Sequence, residues 1–153
     1  MLEHWIDEIP KMLSEIVGHE HRMVRAYRLV GVREVPDELS EYPCALTIPQ
    51  AQANIYNQSH SEDFTSGIIE LHLFEDMKNS RLPDVVPYFG KVRDVFASHL
   101  TLGGLVEYCV LDPVKSIEGP VALKYGEQDL PHWGLVIHWQ TKELTDSEVT
   151  VGG

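Results

Sequence analysis

The sequence predicts an α+β fold: a mainly antiparallel sheet with two helices packed on one face and the other face left for a partner. Three observations predict it. Apolar residues recur at helical spacing in two segments. Around them lie short runs that alternate as half-buried strands do. The strand-like runs of the second half are joined by short turns, which favours antiparallel neighbours.

The first helix is expected in residues 1–17. Leu2, Trp5, Ile6, Ile9, Leu13, Ile16 and Val17 step by threes and fours around one face. Gly18 is a natural stop, and Pro10 removes one backbone donor and should kink or divide the helix. Residues 19–32 suit a strand with Val24, Ala26, Val30 and Val32 on one face, although Arg22, Arg25 and Arg28 would also suit a helical turn. Those arginines make a local basic patch, either a partner contact or a solvated face. An acidic, turn-rich connection leads to a short apolar strand at 44–48, closed off by Pro49. Residues 50–62 are polar and too long for a tight turn. They are expected to form a long hairpin arm or loop, the best candidate for contact with a neighbouring subunit.

Residues 64–74 read as a strand, with Ile69, Leu71 and Leu73 on one face and Ile68, Glu70, His72 and Phe74 on the other. After a break, with Ser80 or Asp84 as N-cap, comes the second helix. Val85, Phe89, Val92, Phe96 and Leu100 are its expected buried stripe; Pro87 falls in the first turn, and Gly103-Gly104 ends it. Strands follow at 105–111, 121–125 and 133–141, with loops at 112–120 and 126–131. The last strand puts Trp133, Leu135, Ile137 and Trp139 on one face. A single domain over 1–143 with a flexible tail from 144 is expected.

Composition narrows the function. A chain of 153 residues, 43% hydrophobic, suits one domain with a real core. The formal net charge of −12, from 24 acids and 12 bases, argues against a surface that grips nucleic acid. No apolar run approaches the roughly 18–20 residues that cross a bilayer. The acidic start, with Glu3, Asp7 and Glu8, is unlike a secretory signal and points to a cytoplasm. Cys44 and Cys109 lie in apolar runs without a CxxC spacing, as buried reduced thiols do.

Catalytic patterns are not found. His19-Glu20-His21 has the wrong spacing for a helical zinc motif, which needs histidines four apart. His72 and His138 are expected to be half-exposed sheet residues, and His99 to stabilise a helix end. Ser66-Gly67 lacks the nucleophile-elbow frame. No catalytic, cofactor-binding or metal residue is assigned, and no enzymatic activity is expected.

The order of elements carries a resemblance. An amphipathic helix precedes a Pro-flanked strand (residues 42–48), a polar loop and an Ile/Leu-rich strand (67–75). A helix after Leu82-Pro83 follows, then Leu102-Gly103-Gly104-Leu105-Val106, a strand, a Tyr125-Gly126 turn and a terminal alternating strand. Over residues 1–143 this resembles the tail terminator, or tail completion, proteins of long-tailed bacteriophages. The resemblance implies a hexameric ring at the head-proximal end of the tail tube, in the virion, assembled in the bacterial cytoplasm. Its implied partners are other copies of the chain, the tail tube protein and a head-completion or neck protein. DNA would pass through the lumen without specific binding, and no membrane or cofactor is involved. The expected subunit or tube contacts are Ile55, Tyr56, Asn57, Gln58 and His60 on the arm, with Arg25 and Arg28 of the basic patch. The alternatives are another head–tail connector, either a head-closure or an adaptor protein, and a small metal- or ligand-binding bacterial protein using His19-Glu20-His21.

Overall fold

Helix α1 spans Trp5–Leu13 and helix α2 Leu82–Ser98 in a computed structural model that describes residues 4–27, 36, 39–56, 60–126 and 130–146. Six strands complete the fold: β1 (Arg25–Tyr27), β2 (Cys44–Tyr56), β3 (His60–His72), β4 (Tyr108–Leu111), β5 (Ile117–Leu123) and β6 (His132–Asp146). They form one sheet in the order β1-β2-β3-β6-β4. Strands β4 and β5 share the far edge of β6, with β5 on its first half and β4 further along. All pairings are antiparallel except β1 with β2. The expected α+β class, with a mainly antiparallel sheet and two helices on one face, is what the chain adopts.

Both helices bury their apolar stripes against the same sheet face. Trp5, Ile9, Met12 and Leu13 of α1 and Val85, Tyr88, Val92 and Phe96 of α2 meet Ala45, Ile69, Leu71, Leu135, Ile137 and Trp139. The ring centroids of Trp5 and Trp139 lie 5.3 Å apart. At about 25 cal/mol per Å² of apolar surface, this layer supplies the main stabilisation. Asp7 and Glu8 in the first turn of α1 and Lys11 in its last complement the helix dipole. Below the helix, the buried Glu143 carboxylate accepts hydrogen bonds from the His4 backbone N–H (2.9 Å) and ring (2.8 Å), tying the start of α1 to β6.

Several expected boundaries move. Helix α1 runs through Pro10 but ends at Leu13, so Ile16 is buried from a turn instead of a helix. Residues 19–21 form a single 3₁₀ turn, so the strand expected over 19–32 does not include them; Arg25–Tyr27 is strand, and residues 28–35 lie outside the described residues. Helix α2 begins at Leu82, so Pro87 sits past the first turn, not within it. The buried stripe of α2 is Val85, Tyr88, Val92, Val95 and Phe96; Phe89 is only partly buried and Leu100 is exposed beyond the helix end. Leu102, Gly103 and Gly104 all have positive φ, so the chain reverses after α2 through a left-handed turn that glycine relieves at two of three positions. Strand β6 continues to Asp146, which places residue 144 in the sheet and not in a tail.

The largest change is in β2. The strand does not stop at Pro49. It passes through a bulge between Pro49 and Ala51 and runs on to Tyr56. The Arg25 N–H donates to the Pro43 carbonyl at 2.9 Å, so odd-numbered residues before the bulge turn their backbone groups away from β3. Pro49 therefore lacks an N–H only on the side where no ladder partner lies among the described residues, which is where a strand tolerates proline.

Candidate assembly surface

The described residues of 50–62, which are 50–56 and 60–62, take the hairpin-arm form. Strand β2 pairs with β3 from Cys44↔His72 out to Tyr56↔Ser61, and β3 is backed by β6 out to His60↔Asp146. The arm is thus the end of a three-stranded tongue. Cross-strand contacts brace it: Gln52 Nε2 donates to Thr65 Oγ1 at 3.3 Å, Asn54 donates to Asp63, and Lys142 meets Glu62 at 3.3 Å while its ammonium lies 5.7 Å from the Phe64 ring. These pairs stiffen an arm that carries little core of its own.

Strand β1 covers β2 only from Cys44 to Leu46. From Thr47 to Tyr56 the outer edge of β2 has no ladder partner among the described residues. Residues 49–56 are all exposed, with Ile55 at 52% and Tyr56 at 66%. A long open edge is a template for pairing with another chain, and soluble proteins commonly blunt such edges with charge. This one carries no charge: from Tyr42 to Ser61, twenty residues pass without an Asp, Glu, Lys or Arg. In a chain of net charge −12, that strip is where two copies approach with least repulsion. Next to it, Ala51, Ala53, Phe64, Ser66, Tyr108 and Gln140 line a shallow groove of about 180 Å³.

The expected contact residues divide into two groups. Ile55 and Tyr56 sit on the arm, and His60 begins β3 at its tip; Asn57 and Gln58 lie outside the described residues. Arg25 is elsewhere. It pairs in register with Cys44, twelve residues along β2 from Tyr56, or about 40 Å at strand spacing. Its guanidinium stacks 5.0 Å from the Tyr27 ring and reaches Glu41 at 3.5 Å. Arg28 lies outside the described residues. The arm and the basic patch are therefore not one surface.

A second polar assembly lies on the sheet face opposite the helices. His72 is fully buried, not half-exposed as alternation suggests, because residues 39–43 and Tyr125 cover this end of the sheet. Its Nδ1 meets Nε2 of the equally buried His132, and its Nε2 lies 3.2 Å from Glu70 Oε1. Burial, and then the proximity of His72, push His132 down to about 4. His132 carries no spacing signal of its own. The one available clue is that 70, 72 and 132 fall on the same sheet face once β3 pairs with β6.

The remaining candidates are peripheral. Glu20 and His21 adopt left-handed φ of 57° and 61° in the 19–21 turn, and Gly18 lies so close to Tyr88 that a Cβ there would meet the phenol oxygen at 2.1 Å. His19, Glu20, Arg22, Tyr42, Arg81 and Tyr88 are among the residues walling a polar cleft of about 160 Å³. No cluster of three metal-ligating side chains occurs among the described residues. His138 is partly exposed and faces Glu118 at 3.4 Å, and His99 caps α2 beside Glu15. Both cysteines are free and buried, and burial raises each thiol to about 12. No described helix is long and apolar enough to cross a membrane. No protein-family model matches this sequence, and no match is found among curated proteins.

Proposed function

We propose that the chain is a structural protein of a bacteriophage neck: a tail terminator whose copies form a ring that caps the head-proximal end of the tail tube. The observation that carries this reading is the exposed, charge-free edge of β2 on a braced arm. It offers backbone donors and acceptors to a second copy, where the rest of an acidic surface repels one. A head-to-tail ring needs two unlike patches per subunit, and the arm edge and the far side of the sheet are such a pair. Ring closure would also concentrate negative charge around a lumen, which lets DNA slide without adhering.

The test is tube length. Purified protein added to polymerising tail tube protein should arrest growth and leave short tubes with a terminal ring in negative stain. Ala53→Lys with Ile55→Lys, two exposed arm positions that leave the core intact, should abolish arrest. Tubes that grow to unchanged length with wild-type protein would refute the proposal.

A further inference from the structure

We propose that the His72–His132 pair is an acid-sensitive latch: adding a proton to the pair releases residues 39–43 from the sheet and opens the polar cleft that Tyr42 and Pro43 help to wall. The geometry assigns the protons. Glu70, as a carboxylate, accepts, so His72 Nε2 carries hydrogen. A neutral His72 then has a bare Nδ1, and His132 Nε2–H donates to it. The chain of donors runs from His132 to His72 to Glu70 and is complete with both rings neutral.

A further proton on His132 has no such place. The ring is 2% exposed, and the carboxylate that reaches the pair binds the far nitrogen of His72. Among the described residues, the ring and register neighbours of the pair are apolar or neutral: the Tyr42 ring against His132, the Tyr125 ring against His72, and Leu123 of β5 in register with His132. Among the described residues, Glu41 and Glu75, the carboxylates that act on Tyr27 and Tyr42 of the cluster, are exposed to solvent. Glu70 favours the cation, but it reaches the pair only at the far nitrogen of His72, and burial with the neighbouring ring outweighs its pull on His132; a buried cation so weakly compensated is expelled or hydrated.

The cover is what yields. Tyr42 stands edge-on to His132 at 5.4 Å, Tyr125 edge-on to His72 at 5.9 Å, and the Tyr125 hydroxyl donates to the Pro36 carbonyl. Residues 39–43 contribute only Leu39 and Tyr42 to the small cluster beneath, whereas the sheet below is held on its other face by both helices. Tyr42 belongs both to the latch and to the cleft, so movement there changes the cleft.

The sign follows from linkage. His132 is lowered from 6.5 to about 4 in the closed form. Closure is thus fully favoured above about 6.5 and is lost progressively as pH falls toward 4. Between pH 7 and pH 5 the open fraction should rise about twentyfold.

Hydrogen exchange on the full chain tests this, read as protection factors so that intrinsic rates divide out. The Arg25 amide, which donates to the Pro43 carbonyl, should lose about twentyfold protection from pH 7 to pH 5, while the amides of α2 stay unchanged. The loss should vanish in His132→Phe. Equal wild-type protection at both pH values, or an equal loss in the variant, overturns the latch. Should the variant fail to fold, nitrogen-15 spectra of the wild-type imidazoles decide: His132 neutral at pH 5 supports it, and His132 protonating near pH 6.5 with the Arg25 amide still protected refutes it. Neither outcome depends on ring formation, so the latch and the terminator proposal stand or fall apart.

Discussion

Gly67→Ala is the most direct probe of how the arm is built. Gly67 faces Pro49 on one side and Trp139 on the other, at the point where the bulge bends β2. A Cβ at this position would lie 2.1 Å from the Ile48 carbonyl oxygen and 2.9 Å from the Pro49 Cα. A carbon–oxygen contact normally settles near 3.3–3.6 Å, so the backbone must shift by roughly 1 Å. Both obstacles are main chain, and no rotamer change removes them. The Ile48 carbonyl points toward β3 by the alternation set at Pro43, so the shift strains the Ile48–Ile68 pairing. Weakening one or two ladder bonds costs about 1 kcal/mol each, and overpacking adds about 1–3 kcal/mol. A loss of about 2–5 kcal/mol is expected. Urea denaturation followed by tryptophan fluorescence and far-UV dichroism measures it, and the thermal midpoint should fall by about 5–15 °C for a chain of this size. A loss below 0.5 kcal/mol, roughly the scatter of a neutral surface change, would mean that β2 does not approach β3 as closely as described.

Other expectations follow from single contacts. Gly90→Ala lies mid-helix in α2, with its nearest obstacle the end of the Arg93 side chain at 3.9 Å; it should stabilise the fold by about 0.5–1 kcal/mol in the same urea assay. His4→Ala removes the ring that meets the buried Glu143 carboxylate and should cost about 1–3 kcal/mol, while Glu143→Gln, which keeps an acceptor, should cost less; the reverse order would show that the contact does not hold α1 down. Cys44 and Cys109, both raised to about 12, should react with an aromatic disulfide reagent at pH 8 only as fast as the chain unfolds, and immediate stoichiometric labelling of native protein would contradict their burial.

What was legible in the sequence was whatever depends on local periodicity. The alternation of 133–139 and of 69–73 placed Leu135, Ile137, Trp139, Ile69, Leu71 and Leu73 on the helix-facing side, where all six are buried. The helical stripe of α2 was legible in its centre, at Val85, Val92 and Phe96, and drifted at the ends. Spacings of three and four fit Tyr88 as well as Phe89, and only tertiary contact chooses between them. Pro49 reads as the end of β2 unless the strand is known to be an edge, and edges belong to sheet order, not to local sequence. His72 was placed half in water for a similar reason. Its face is covered by residues 39–43 and Tyr125, and nothing near His72 in the chain encodes that cover. The 70–72–132 cluster joins positions sixty residues apart and appears only through β3–β6 register.

The pairing of β3 with β6 also dictates when this protein can fold. Leu71 sits in the middle of the sheet, yet its neighbour Leu135 is sixty-four positions later in the chain. A nascent polypeptide therefore displays the apolar side of β3 with one flank empty until the ribosome has delivered β6. Shortening the chain anywhere before residue 132 would leave that flank permanently bare, and such a fragment should cling to chaperones or precipitate.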